Sequence, residues 1–188
     1  MKKIVSLLGF LMIACGPNPS KESPKPLPVS EKTTLEEGTP YIVGKINRSN
    51  LLTYEHSQWY AKEYDFFKID SQWIETITPL TQGVSYQLFL GTWCEDSQRE
   101  VPGMLKILDA LGTDPNAIDM YAMDEDKRTP ENYEQGLDIN NVPTLIFYKD
   151  GKEMNRIVEM TVASIYKDMA KIYQNEPYQH AYFEAETP

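Results

Sequence analysis

Val84-Ser85-Tyr86-Gln87-Leu88-Phe89-Leu90, running directly into Gly91-Thr92-Trp93-Cys94-Glu95-Asp96-Ser97, is the stretch on which the fold turns. Its first seven residues are mostly apolar and bounded by turn formers, the signature of a buried strand. Beyond it Val101, Met104, Leu105, Leu108 and Leu111 recur at helical spacing, and Gly112 supplies a stop. Cys94 therefore stands where a buried strand gives way to a helix. A helix N-terminus presents unpaired N–H groups and the positive end of its dipole, both of which favour a thiolate. A free cysteine is otherwise commonly a small buried core residue. The position after Trp93, at a strand–helix turn, favours an accessible nucleophile over that alternative.

Working outward, Ala117 to Met123 reads as a second buried strand, followed by a short helix. Thr144 to Tyr148 is a third strand. Lys149-Asp150-Gly151-Lys152 has the Asp-Gly centre of a tight hairpin, and Glu153 to Glu159 returns from it. Val162, Ile165, Tyr166, Met169, Ile172 and Tyr173 form the apolar stripe of a closing helix, with Thr161 as its expected N-cap. Upstream, residues 47–79 predict two helical pieces, the second capped by Asp70 and stopped at Pro79. The aromatic residues Tyr54, Trp59, Tyr60, Tyr64, Phe66, Phe67 and Trp73 are expected to pack an added helical layer. The order predicts an α/β domain: a parallel βαβ unit, then a hairpin and a helix.

Three spaced landmarks resemble the thioredoxin superfamily. Trp93-Cys94-Glu95-Asp96-Ser97 matches its Trp-Cys-x-x-Cys motif except at the last position, and Pro102 falls where that family kinks its active-site helix. Asn141-Val142-Pro143-Thr144-Leu145-Ile146-Phe147-Tyr148-Lys149-Asp150-Gly151 looks like its cis-proline strand and hairpin. The resemblance, running from about Val84 to Tyr173, implies a thioredoxin-like fold: a central mixed β-sheet flanked by helices, here with an added N-terminal helical segment. It implies that Cys94 is the attacking cysteine, that Trp93 walls the site, and that Pro143 is cis and lies against the sulfur. Val142 and Thr144 on either side, with Glu95 and Asp96, would then line the substrate groove. Ser97 replaces the second, resolving cysteine. The buried aspartate that the family carries six residues before its attacking cysteine is replaced by Leu88.

Both parts of an intramolecular resolution step are thus missing. A thiolate at Cys94 attacks a disulfide and forms a mixed disulfide, whose release needs an outside thiol. That suits monothiol oxidoreductase or isomerase work on a protein disulfide or a glutathionylated client, with Ser97 and the helix end supporting the thiolate. The same groove without the second cysteine also suits a non-catalytic module that binds an extended peptide or a partner protein. Glu95 and Asp96 read either as first-turn acids favoured by the helix dipole or as groups that oppose a neighbouring thiolate. The sequence leaves both pairs of alternatives open.

The N-terminus has the proportions of a secretory signal: Lys2-Lys3, then a short apolar run from Ile4 to Ile13. Leu11-Met12-Ile13-Ala14-Cys15 resembles a bacterial lipobox, which implies lipid attachment at Cys15 and a membrane-anchored protein of the bacterial envelope, on its periplasmic side. Gly16 lacks the aspartate that holds enterobacterial lipoproteins at the inner membrane, favouring the outer membrane. Residues 16–40 hold six of the thirteen prolines and read as a disordered tether. The expected divisions are residues 1–15 as signal and lipobox, 16–40 as tether, 41–80 as helical extension, 81–175 as the thioredoxin-like domain and 176–188 as a tail.

A net charge of −10 argues against nucleic acid, whose phosphates select clustered Lys and Arg. Cys15 and Cys94 are the two cysteines, so with Cys15 lipidated no internal disulfide is available. His56 and His180 stand apart from any ligand spacing, and neither a metal nor a cofactor is expected.

Overall fold

A computed structural model of the chain describes residues 24–183. The expectations for the signal, for Cys15 and for residues 16–23 fall outside that range. Eleven regular elements follow in order: β1 (Ser30–Thr33), β2 (Pro40–Ile46), α1 (Arg48–Thr53), α2 (Gln58–Phe66), α3 (Ser71–Ile77), β3 (Val84–Leu90), α4 (Glu95–Ala110), β4 (Ile118–Ala122), β5 (Thr144–Lys149), β6 (Lys152–Val158) and α5 (Ile165–Tyr173). The strands form one mixed sheet in the order β1-β2-β4-β3-β5-β6. β3 and β4 are parallel, with Leu88 opposite Met120, joined by the α4 crossover. Every other neighbouring pair is antiparallel.

The period of two along β3 sorts its side chains onto two faces. Tyr86, Leu88 and Leu90 point into the main core with Val101, Met104, Leu105 and Leu108 of α4 and Met169, Ile172 and Tyr173 of α5. Phe89 points the other way, into a second cluster with Tyr121, Met123, Ile139, Val142 and Ile146. None of those buried residues lies on a helix; the irregular chain between β4 and β5 closes that face. Tyr86 and Tyr173 share a hydroxyl–hydroxyl hydrogen bond of 2.8 Å in the main core, where burial pushes both phenols up.

Several expectations are corrected. The tether reading of residues 16–40 fails from residue 24 onward. Ser30–Thr33 pairs with Tyr41, Ile42 and their neighbours through backbone alone, all four side chains being exposed, so no apolar pattern marks it. Asn50 takes the Leu27 N–H on its Oδ1 at 3.0 Å and donates to the Leu27 carbonyl at 2.8 Å, while Asn47 donates to the Lys25 carbonyl. These two side-chain amides, with the Ser49 hydroxyl donating to the Pro24 carbonyl, hold residues 24–27 in place. The helical extension 41–80 begins instead with β2, whose Tyr41, Ile42, Val43 and Ile46 are buried in the sheet, and it carries three α-helices. Phe66 is 76% exposed and takes no part in the expected aromatic packing.

The short helix expected after β4 is absent. Lys127, Asn132 and Asp138 there have positive φ, and Pro130 and Gly136 interrupt the remainder, so the segment is a chain of turns. Ser164, not Thr161, caps α5 by accepting from the Lys167 N–H. Asp70 does cap α3, accepting from the Trp73 N–H at 3.1 Å. Asp150 and Gly151 both take positive φ, which the two-residue hairpin turn requires.

Gly103 is the point where α2 meets α4. A Cβ there would lie 2.6 and 2.8 Å from Cε2 and Cδ2 of Phe67, whose ring also packs on Tyr166. Gly→Ala inside a helix normally gains about 1 kcal/mol. Here Gly103→Ala is expected to reverse that sign and cost about 1–3 kcal/mol by overpacking. Urea unfolding measures this, and adding Phe67→Leu in the same chain should recover most of the loss.

Candidate functional site

Cys94 is the N-cap residue of α4, at φ −84° and ψ 124°, and its carbonyl accepts the first helical bond from the Gln98 N–H at 3.0 Å. The turn from β3 is tight: the Cys94 N–H donates to the Gly91 carbonyl at 3.1 Å. Gly91 is needed there because a Cβ would meet Trp93 Cε2 at 2.8 Å and the Cys94 Cβ at 3.1 Å. The helix supplies its own N-terminal field, and the Cys94 side chain makes no capping hydrogen bond to it.

The Val142–Pro143 peptide bond is cis. The Val142 carbonyl, immediately before the proline, accepts a hydrogen bond from Cys94 Sγ at 3.3 Å. Cys94 is half-buried; Val142 and Pro143 are buried. Among the described residues no group accepts from the Val142 N–H. Thr144, buried between Phe89 and Val158 in the sheet, donates its hydroxyl to the Asn141 carbonyl at 2.7 Å and so tightens the bend before Pro143. The Pro143 carbonyl accepts from the Glu159 N–H at 2.6 Å, and Asn141 donates to the Glu159 carboxylate. The structure thus brings Trp93, Cys94, Val142, Pro143 and Thr144 together at the C-terminal end of β3.

Ser97 is placed otherwise than the sequence suggested. It is fully buried, and its Oγ accepts the Gly91 N–H at 3.1 Å. Among the described residues it makes no hydrogen bond to Sγ; it braces the turn that carries Cys94. Leu88 is fully buried in the main core, so an apolar side chain fills that position. Pro102 is buried within α4. Asp96 is tied to Arg99 one turn on, and Glu95 is exposed. Both stand in the first turn, where acids suit the dipole, and neither hydrogen-bonds to the sulfur.

Trp93 is held by contacts that sequence reasoning missed. Its Nε1 donates to the Met123 carbonyl at 2.9 Å. Tyr41 of β2 meets the ring edgewise, centroids 6.4 Å apart, and Lys127 Nζ lies 5.5 Å above it. Beyond Asn141, Glu159 lies beside Tyr182, whose phenol that carboxylate holds above its ordinary value. Residues 176–183, without a role in the sequence reading, are fastened by Tyr178, whose hydroxyl donates to Asp168 at 3.2 Å and whose carbonyl accepts from Asn155. Among the described residues no cluster of His, Cys, Asp and Glu is arranged to hold a metal ion, and no helix is long and apolar enough to cross a membrane.

No family model matches the sequence, and no curated protein matches it. Among solved structures the chain is similar to a protein of unknown function from Pseudomonas aeruginosa, at 14% identity and a TM-score of 0.42, over 65% of this chain and 76% of that one.

Proposed function

We propose that this chain is a thioredoxin-like protein of the bacterial envelope that performs monothiol thiol–disulfide exchange, anchored through lipid on Cys15 and facing the periplasm, with the outer membrane favoured. The observation that carries the reading is the sulfur of the half-buried Cys94 at the head of α4, 3.3 Å from the carbonyl that precedes a cis-proline. The thiolate attacks one sulfur of a client disulfide or of a glutathionylated client. With a client disulfide a Cys94–client disulfide forms; with a glutathionylated client, attack on the glutathione sulfur forms Cys94–glutathione. In each case the other sulfur leaves as a thiolate that takes a proton from water. An external thiol then attacks the sulfur bonded to Cys94, forms a new disulfide with it and expels Cys94 as its thiolate, so the number of disulfides is unchanged. The Val142 N–H, unpartnered among the described residues, would pair with the backbone of an extended client in this reading.

Incubating the purified protein with glutathione disulfide tests this. One glutathione is expected on Cys94 by intact mass, none on Cys94→Ser, and its discharge should be first order in added thiol. A chain that takes up no glutathione when folded contradicts the proposal. The Sγ–H to Val142 hydrogen bond and the inward turn of Ser97 favour a second reading, a module that binds extended peptide without exchange. Peptide binding that survives Cys94→Ser, with no adduct on the wild type, would select it.

A further inference from the structure

We propose that Tyr41 and Lys127 are positioning residues that hold the Trp93 indole as the wall of the client groove, which makes the β1–β2 hairpin part of the Cys94 site. The inference rests on the exchange reading above and adds to it the residues that set client recognition.

The hairpin reaches the site along two routes. On the first, the Ile42 N–H of β2 donates to Thr92 Oγ at 3.2 Å, a buried bond that fixes the residue before Trp93. Tyr41, only 3% exposed, lies next along the strand with its ring against the indole. Edge-on aromatic contacts of this kind orient a ring beyond what burial alone does. On the second route, Lys32 of β1 pairs with Asp124 at 2.8 Å, and the Leu35 N–H donates to Glu125 Oε2 at 2.9 Å. Asp124 in turn accepts the N–H groups of Asp126 and Arg128. These bonds shape the turn after β4 so that Lys127 adopts φ 58°, a left-handed conformation uncommon for a residue with a side chain. Its Nζ is held by the Glu125 carbonyl at 2.8 Å and sits over the indole, where a cation is favoured.

The indole is therefore fixed by the Gly91 backbone beneath it, the Met123 carbonyl at its nitrogen, Tyr41 at its side and Lys127 above. A free indole at this turn would swing into or away from the groove beside Sγ. A small reagent needs only the sulfur, whereas an extended client needs the wall. The two should separate.

Tyr41→Leu and Lys127→Met, made in the full chain, are to be compared on iodoacetamide and on an unstructured peptide carrying a mixed disulfide. The exchange rate with the peptide should fall about five- to tenfold in each, as loss of orientation alone can produce, with the effect in KM. The iodoacetamide rate should stay within about twofold, and Tyr41→Phe and Lys127→Arg should retain the parent behaviour. A peptide rate that does not fall, or one that falls in parallel with iodoacetamide, overturns the proposal. Fluorotryptophan labelling gives a readout independent of exchange. The Trp93 resonance, assigned by its loss in Trp93→Phe, should shift and narrow in both variants while those of Trp59 and Trp73 stay put. An unmoved Trp93 line overturns the positioning role even if the wild type proves inert to disulfides, which would count against the exchange reading separately.

Discussion

Ser97→Cys is expected to convert a long-lived mixed disulfide into a short-lived one. In the parent protein the Cys94–client disulfide waits for an external thiol. The substitution places a thiol in the first turn of α4, one turn from the sulfur it must attack. Attack by that thiolate on Sγ forms an intramolecular disulfide and expels the client thiolate, so atoms and electrons balance without a third party. Well-oriented intramolecular reactions outrun millimolar external thiols by large factors. Discharge should therefore quicken at least about 100-fold and become independent of added thiol. The change has a structural cost, because Ser97 Oγ now accepts the buried Gly91 N–H and sulfur accepts more weakly. About 1 kcal/mol of stability is the expected loss. Mass spectrometry of quenched samples reads the adduct lifetime. An unchanged lifetime would show that position 97 does not face the sulfur, and would remove the analogy to a two-cysteine site.

The largest expected loss of stability is at Asp168. This residue is 1% exposed, and its two oxygens accept from the Val162 N–H at 2.6 Å, the Ala163 N–H at 3.2 Å and the Tyr178 hydroxyl at 3.2 Å. One side chain thus fastens the approach to α5 and the tail that folds over it. Asp168→Ala leaves two backbone donors and a phenol without their acceptor, which should cost about 3 kcal/mol. Asp168→Asn keeps one acceptor oxygen and should cost less. Denaturant midpoints measure both. A loss under about 0.5 kcal/mol, the ordinary range of a surface substitution, would contradict the packing described for the tail.

A smaller effect follows from the Lys32–Asp124 tie. Burial alone would push the Asp124 carboxyl up. The Lys32 ammonium and the Arg128 and Asp126 N–H groups outweigh it and hold the carboxyl below its ordinary value of 3.8. A depressed carboxyl stabilises the fold above that ordinary value, and the stabilisation is lost as pH falls through the lower folded value. Lys32 is 46% exposed, so the tie contributes less than about 1 kcal/mol. Wild type and Lys32→Met should differ in stability at neutral pH and converge in acid.

What the sequence showed plainly was whatever rests on apolar periodicity or on turn chemistry. β3 is bounded as its apolar run predicts, Gly112 ends α4 at positive φ, and Asp150-Gly151 makes the hairpin. The Val142–Pro143 bond is cis, and the carbonyl before it lies 3.3 Å from Cys94 Sγ. The missed parts rest on interactions that leave no pattern. β1 pairs through backbone with four exposed polar side chains, and residues 24–27 are held by Asn47, Ser49 and Asn50. The cap of α5 moved because Asp168 takes the N–H groups around Val162, leaving Ser164 at the true start. The hydroxyl of Ser97 chose a backbone N–H over the sulfur, a choice made by geometry alone. Tyr41 and Lys127 are remote from Trp93 in sequence, and only the sheet order and the turns after β4 bring them to it.

The central claim is that folding makes Cys94 a better sulfur nucleophile toward disulfides than the same residue in an unfolded chain. The direct test is the second-order rate of exchange with a small model disulfide at neutral pH, measured on the folded protein and on the same protein held unfolded in urea. An acceleration of about tenfold or more in the folded state is predicted, from the placement of the sulfur at the N-terminal end of α4. A folded rate equal to or below the unfolded one would contradict it.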